Sequence, residues 1–307
     1  MDRVLVTGGS GFIGSNVIEE LRKSYKVTNL DLKPSKNTEV EQIIGDIRDK
    51  ELVEQAVEKC DVIFHLAAQV SVPLSIEYPQ KTLEINVQGT QNIIDAAHKF
   101  GIKRLIIASS AAVYGEASDL PLKEEYAGQC LSPYAQSKWE NEKQVILARK
   151  KGLEAVALRF FNVYGPGQST DGAYAAVIPK FVQMLTNGKQ PVIYGDGLQS
   201  RDFVNVRDLV SAIEILIQCD WSLIDSHVYN LASQSQTSIL EIIDLISSSI
   251  RKIKPTFNTI EPNFIHPRKG DIKHSLGDIS KINGALNWSP SVKLSEGLEE
   301  LVNISIN

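Results

Sequence analysis

The chain has 307 residues, 43% of them hydrophobic, enough apolar surface for one large domain or two smaller ones around a packed core. A net charge of −5 and a pI near 5.7 exclude a broad, nonspecific hold on nucleic acid or an anionic membrane and leave room only for a local basic pocket. The three cysteines (Cys60, Cys130, Cys219) form no C-x-x-C pair, and the amino terminus has no signal-peptide profile. With no apolar run as long as a membrane span, a cytoplasmic protein without membrane attachment is expected.

The first half alternates short apolar runs with helix-period segments, the pattern of a parallel sheet with crossover helices. Strands are predicted at 3–7, 26–31, 40–45, 61–67, 103–109 and 154–160, rich in Val, Ile and Leu as strands buried on both faces are. Residues 33–39 read as a loop, and a helix is predicted over 87–100, stopped by Gly101. After about residue 165, a Gly-Pro-Gly and a loop rich in Ser, Gly and Asp end the alternation. The expected fold is α/β: a Rossmann-type doubly wound parallel sheet over 1–165, rejoined by a segment near 203–233, with a smaller carboxyl-terminal substrate-binding domain in 166–307.

The first strand runs into T-G-G-S-G-F-I-G, with Gly8, Gly11 and Gly14, then opens a helix, and Asp31 ends the second strand. In that context the glycines allow a tight turn, close approach of a pyrophosphate and close helix packing, and Asp31 accepts from a ribose while repelling a 2′-phosphate, favouring NAD over NADP. Asp46, ending the third strand beside Ile47, either reaches the adenine or caps the helix from Lys50 onward. In H-L-A-A-Q, Leu66, Ala67, Ala68 and Gln69 supply a passage for a ribose or nicotinamide, whereas His65 reads as structural. No metal site is expected, because the five histidines do not cluster with carboxylates or cysteines at ligand spacing.

In S-P-Y-A-Q-S-K, Ser132 caps a helix that Pro133 opens, and Tyr134 and Lys138, four apart, share a face. A fixed ammonium there favours the phenolate over the phenol. The plain alternative is a solvent-facing pair, since nine tyrosines make one chance Tyr-x-x-x-Lys unremarkable.

Taken together, these motifs resemble the extended short-chain dehydrogenase/reductase family, and within it the nucleotide-sugar epimerases of the UDP-hexose 4-epimerase type. The resemblance covers nearly the whole chain and adds Asn86 in I-N-V-Q-G-T, S-S-A-A-V-Y-G, F-F-N-V-Y-G-P, S-R-D-F-V and P-R-K-G-D-I-K-H-S. It implies Tyr134 as base, Lys138 on the nicotinamide ribose, lowering the tyrosine pKa, and Ser110 on the reacting hydroxyl, with Ser109 supporting. It also implies NAD bound by the glycine loop with Phe12 and Ile13, by residues 66–69, Asn86 and Phe161. A UDP-sugar would be held by Asn162, Arg201 and Arg268, and a homodimer is usual. A 4,6-dehydratase would carry an Asp-Glu pair, and a decarboxylase a Glu, where Ala111 and Ala112 stand. A non-catalytic NAD sensor is the alternative from another class. Ser275, four residues after the Asp of P-R-K-G-D, is small, and the resemblance then implies room for an N-acetylated hexose.

Overall fold

The computed structural model describes residues 2–116, 119–170, 176–267 and 272–306. Its strands are β1 (Arg3–Thr7), β2 (Lys26–Asp31), β3 (Glu41–Ile44), β4 (Val62–His65), β5 (Arg104–Ser110), β6 (Glu154–Phe160), β7 (Asn162–Tyr164), β8 (Val192–Tyr194), β9 (Ser200–Asn205), β10 (Val228–Leu231), β11 (Gln236–Ser238) and β12 (Asn263–Ile265). The helices are α1 (Phe12–Leu21), α2 (Lys50–Val57), α3 (Val72–Glu77), α4 (Pro79–Leu83), α5 (Gly89–Phe100), α6 (Pro133–Lys150), α7 (Val177–Thr186), α8 (Val206–Gln218), α9 (Ile239–Ile253), α10 (Ser280–Leu286) and α11 (Leu294–Ile306).

Seven parallel strands form the main sheet in the order β10-β6-β5-β4-β1-β2-β3. The Val, Ile and Leu runs of β1, β4, β5 and β6 are buried because helices cover both faces, one apolar cluster lying on each side. β10, inside the 203–233 segment and beyond the regular alternation, takes the edge position beside β6. It lies 68 residues beyond the end of β6 (228 − 160), past an interval that holds α7, α8 and the strands β7, β8 and β9, which belong to two small sheets, β11-β9-β7 and β12-β8.

The helix expected over 87–100 begins as a π-helical turn, Glu84–Gln88, before α5. That wide turn frees the Asn86 carbonyl, which accepts from Thr90 Oγ1 (2.6 Å) and Asn141 Nδ2 (2.8 Å). In α6, Ser132 accepts from the Ala135 N–H at 3.1 Å and Pro133 opens the first turn. The buried face of this helix is largely polar, with Ser137, Lys138, Asn141 and Glu142 joining Val145 and Ala148. A polar stripe turned inward marks a helix held by specific bonds rather than by an apolar seam.

Asp202 in β9 ties the segment after β10 to the stretch around Gly277. Its fully buried carboxylate accepts from the N–H and hydroxyl of Ser233 (both 2.7 Å), the N–H of Gln234 (3.1 Å) and that of Gly277 (3.1 Å). Asp202→Ala strands these donors, and urea unfolding is expected to show a loss of about 3 kcal/mol, since each buried group left unpaired costs about 1–3 kcal/mol.

Candidate active site

A cleft of about 790 Å³ lies along the carboxyl ends of the main-sheet strands. The loops after β1 to β4 and the ends of β5 and β6 line it, at the point where the chain order reverses between β1 and β4. Gly8 has φ +72°, and a Cβ there would sit 2.7 Å from the Ala67 nitrogen; one on Gly14 would come within 2.3 Å of the Gly8 oxygen. A Cβ on Gly11 would meet only that oxygen, at 3.3 Å, so this side of the loop opens to the cleft. Gly11 is the N-cap of α1 and brings no side-chain cap, which leaves the first-turn N–H groups and the positive end of the helix to an anion.

Asp31 accepts from the N–H groups of Ser10 (3.0 Å) and Lys33 (3.1 Å), which hold its carboxylate at the cleft with lone pairs to spare for hydroxyl donors. A glycine cradle at a helix terminus with a fixed carboxylate one strand away fits a dinucleotide. Phe12, Ile13, Ile47, Leu66, Ala67, Ala68, Gln69 and Phe161 all line the same space. Asp46 lines it too, paired with Arg48 at 2.6 Å, and the cap of α2 is Asp49 instead. Arg48, Lys81 in α4 and Gln168 also border the cleft; they carry no motif by which a sequence reading finds them.

Asn86 stands behind the wall rather than in it. Its side chain exchanges bonds with the backbone of Gln69 (2.7 and 3.0 Å) and donates to Ser137 Oγ (2.9 Å), bracing the 66–69 passage against α6. His65 is buried between Thr7 Oγ1 (2.6 Å) and Thr90 Oγ1 (2.8 Å), and burial pushes its pKa down to about 3.

At the inner end of the cleft, Tyr134 and Ser110 line the same wall. Burial raises the phenol's pKa, and the Ser110 hydroxyl pulls it back. The lysine expected to do this instead donates to the Ala108 carbonyl at 2.8 Å, and burial lowers its own pKa to about 8. Proximity on one helix face therefore brings Lys138 to the cleft without making it the group that pulls the phenol down, because both sites are desolvated and desolvation opposes each charge.

Two further hollows continue from this point. One of about 230 Å³ shares Ser110, Tyr134, Phe160 and Phe161 with the cleft and adds Ala111, Ala112, His274 and Ser275. The next, of about 350 Å³, shares Asn162 and Arg201 with it and runs between α7 and β8, past Lys180, Phe181 and Tyr194. Asn162 donates to the Asp202 carbonyl (3.1 Å), and Arg201 donates to the carbonyls of Ser200 (2.9 Å) and Lys273 (3.2 Å). Arg268 lies outside the described residues. Ser275 is buried, and its hydroxyl has no hydrogen-bond partner among the described residues.

Comparison with known proteins places this architecture. The model described as the NAD dependent epimerase/dehydratase family matches residues 4–232. The chain belongs to this family, within the extended short-chain dehydrogenase/reductases, and its cofactor is NAD. A Methanocaldococcus jannaschii protein that carries a provisional UDP-glucose 4-epimerase name is 38% identical, with 98% of this chain and 97% of that protein covered. The solved UDP-N-acetylglucosamine 4-epimerase of Methanobrevibacter ruminantium, in complex with UDP-N-acetylmuramic acid, superposes with a TM-score of 0.90 at 36% identity, covering 98% of this chain and 97% of that one. A UDP-N-acetyl-α-D-glucosaminuronate decarboxylase of Bacillus cytotoxicus is 32% identical over 98% of this chain and 96% of its own length. Among the described residues, no helix is long and apolar enough to cross a membrane.

The burial of His65 has a measurable sign. Its folded pKa, about 3, lies below the ordinary value of about 6.5, so the unfolded chain binds the extra proton between them. The contribution to stability is complete above about pH 6.5 and is lost as the pH falls towards 3. Ring resonances of His65 in NMR spectra are expected to stay those of the neutral imidazole down to about pH 4.5; a midpoint near 6 contradicts the assigned burial.

Proposed function

We propose that this protein is a UDP-hexose 4-epimerase that works through a 4-keto sugar. The observation that carries the reading is the order of the hollows. A dinucleotide cleft meets a small cavity at Ser110 and Tyr134, and that cavity meets a third hollow at Asn162 and Arg201. A nucleotide-sugar laid along the last two, pyrophosphate at Asn162 and Arg201, brings its hexose to Tyr134. Arg268, by its motif, is the second pyrophosphate ligand.

NAD, when bound along the glycine loop, supplies the acceptor and donor of hydride for sugar C4. Tyr134 takes the C4 hydroxyl proton and later gives it back, while Ser110 holds the same oxygen and offsets part of the burial that keeps the phenol protonated. Lys138, charged below about pH 8 and fixed by the Ala108 carbonyl, is placed to hold the nicotinamide ribose. Forked guanidinium donors suit phosphate oxygens, so the nucleotide is gripped. The sugar cavity instead offers Ala111, Ala112 and Phe160, which hold a hexose loosely enough to turn over between the two half-reactions.

The family also contains dehydratases, and decarboxylases are among the relatives. Elimination of water across C5 and C6 needs an acid and a base at the turn after Ser110. Methyl groups line the cavity there, so this second reading is disfavoured.

The deciding experiment is incubation of the purified protein with UDP-galactose and with UDP-N-acetylgalactosamine, followed by chromatography of the products. The C4 epimer of each is expected; a 4-keto-6-deoxy sugar in its place supports a dehydratase, and no product with an inert cofactor spectrum supports a sensor.

Ser275 sets the sugar range in this reading, because its small buried side chain leaves space beside the C2 substituent. Ser275→Tyr is expected to lower kcat/KM for the N-acetylated pair by at least about 100-fold while changing that for the plain hexoses by less than about threefold, as fits a steric clash confined to one substrate. Equal loss of both removes Ser275 from this role.

A further inference from the structure

Outside the hollows lies a buried ion pair, Glu142–Arg159. Both side chains are 1% exposed, and their oxygens and nitrogens meet at 2.7 and 2.8 Å in a two-pronged contact. Such a pair is a poor stabiliser: two charges taken out of water cost several kcal/mol each, and apolar replacements of similar size are often neutral or better. The reason for keeping it is sought in what it touches.

Glu142 lies one helical turn beyond Lys138 and two beyond Tyr134 on the buried face of α6. Its Oε1 also accepts from Ser109 Oγ at 2.5 Å. Ser109 precedes Ser110 and faces Arg159 across the β5–β6 ladder, where Ser110 faces Phe160. With the Lys138–Ala108 bond, this gives α6 two tethers to consecutive residues at the end of β5, directly before Ser110, which lines the same wall as Tyr134.

Arg159 extends the network to the sugar side. Its Nη1 donates to Tyr114 Oη (2.9 Å) and the Glu124 carbonyl (2.7 Å), and its guanidinium lies over the rings of Tyr114 (5.0 Å) and Trp139 (5.8 Å). Tyr114 donates to Asn230 Oδ1 in β10 (2.6 Å) and packs against Phe161 with ring centroids 6.1 Å apart. Tyr114 and Phe161 both line the small cavity. One buried ion pair thus joins the helix of Tyr134 and Lys138, the strand of Ser110 and a wall of the sugar cavity.

We propose that Glu142 and Arg159 are positioning residues for the reaction, holding the Tyr134–Lys138 face of α6 in register with Ser110. This rests on the assignment of Ser110, Tyr134 and Lys138 as the reacting set. Neither residue touches the hollows, so the effect is on geometry and not on binding.

The test is Glu142→Met/Arg159→Met, which removes both charges together, in the full-length protein with NAD. Cooperative unfolding, NAD retention and a KM within about twofold of the parent are expected, with kcat about 100-fold lower, the scale of a displacement of about 1 Å between reacting groups. The tyrosinate absorbance of Tyr134, taken as a difference from Tyr134→Phe, is expected to shift to higher pH as the Ser110 hydroxyl loses its register with the phenol. Lys138, Arg201 and His274, the other charged or titratable groups near the phenol, are unaltered in this variant. A folded double variant with parental kcat and tyrosinate midpoint overturns the proposal. If it does not fold, Ser109→Ala severs one tether by a single atom: kcat about tenfold lower at unchanged KM supports the proposal, and parental kcat overturns it. The tyrosinate midpoint needs no substrate, so it decides the positioning role even if the sugar reaction proves to be another.

Discussion

Desolvation at the junction of two hollows governs this molecule. Tyr134 and Lys138 meet where the dinucleotide cleft opens into the small cavity, and burial there disfavours the charged form of each, raising the phenol's pKa and lowering that of the amine. A group that gives and takes protons in such a place depends on fixed dipoles, because water is not available to stabilise it. The Ser110 hydroxyl and the Ala108 carbonyl are those dipoles, and both belong to the last residues of β5. The distance between one strand end and one face of α6 is therefore the quantity the surrounding structure has to hold.

Much of the buried polar inventory follows from that requirement. Asn86 braces the 66–69 passage against α6, the π-helical turn exposes a carbonyl to Asn141 of the same helix, and Ser109 ties β5 to Glu142. An amphipathic seam would tolerate sliding; hydrogen bonds with defined partners do not, since any slip leaves a buried donor or acceptor unpaired. On the other side of the junction, Asp202 gathers four donors from two segments and sets the small cavity's far wall in the same way.

The legible parts of the site were local in sequence. T-G-G-S-G-F-I-G was readable because turn, helix start and close packing each demand glycine within eight residues, and S-P-Y-A-Q-S-K because capping and helical spacing act over one turn. Glu142 and Arg159 carry no such local signature. Tyr134, Lys138 and Glu142 do recur at four-residue intervals, a signal that could have flagged the glutamate, but an arginine inside an apolar strand reads as an interruption until its partner is known. The role expected of Lys138 in lowering the phenol's pKa changed for a similar reason: spacing establishes proximity, while the size of an electrostatic effect depends on what else surrounds the pair.

What the residues by themselves determined was the α/β class, six of the seven strands of the main sheet, the glycine cradle with Asp31, and the pairing of Tyr134 with Lys138 on one helix face. Periodicity, turn chemistry and capping operate over a few residues, and their physics is complete within the segment. The tertiary structure alone decided that Asp49 and not Asp46 caps α2, that three hollows connect in line, and which dipoles face the buried phenol. Those outcomes rest on burial by segments up to more than one hundred positions away, as when Tyr114 meets Asn230, and desolvation is a property of the assembled surroundings that no stretch of chain carries alone.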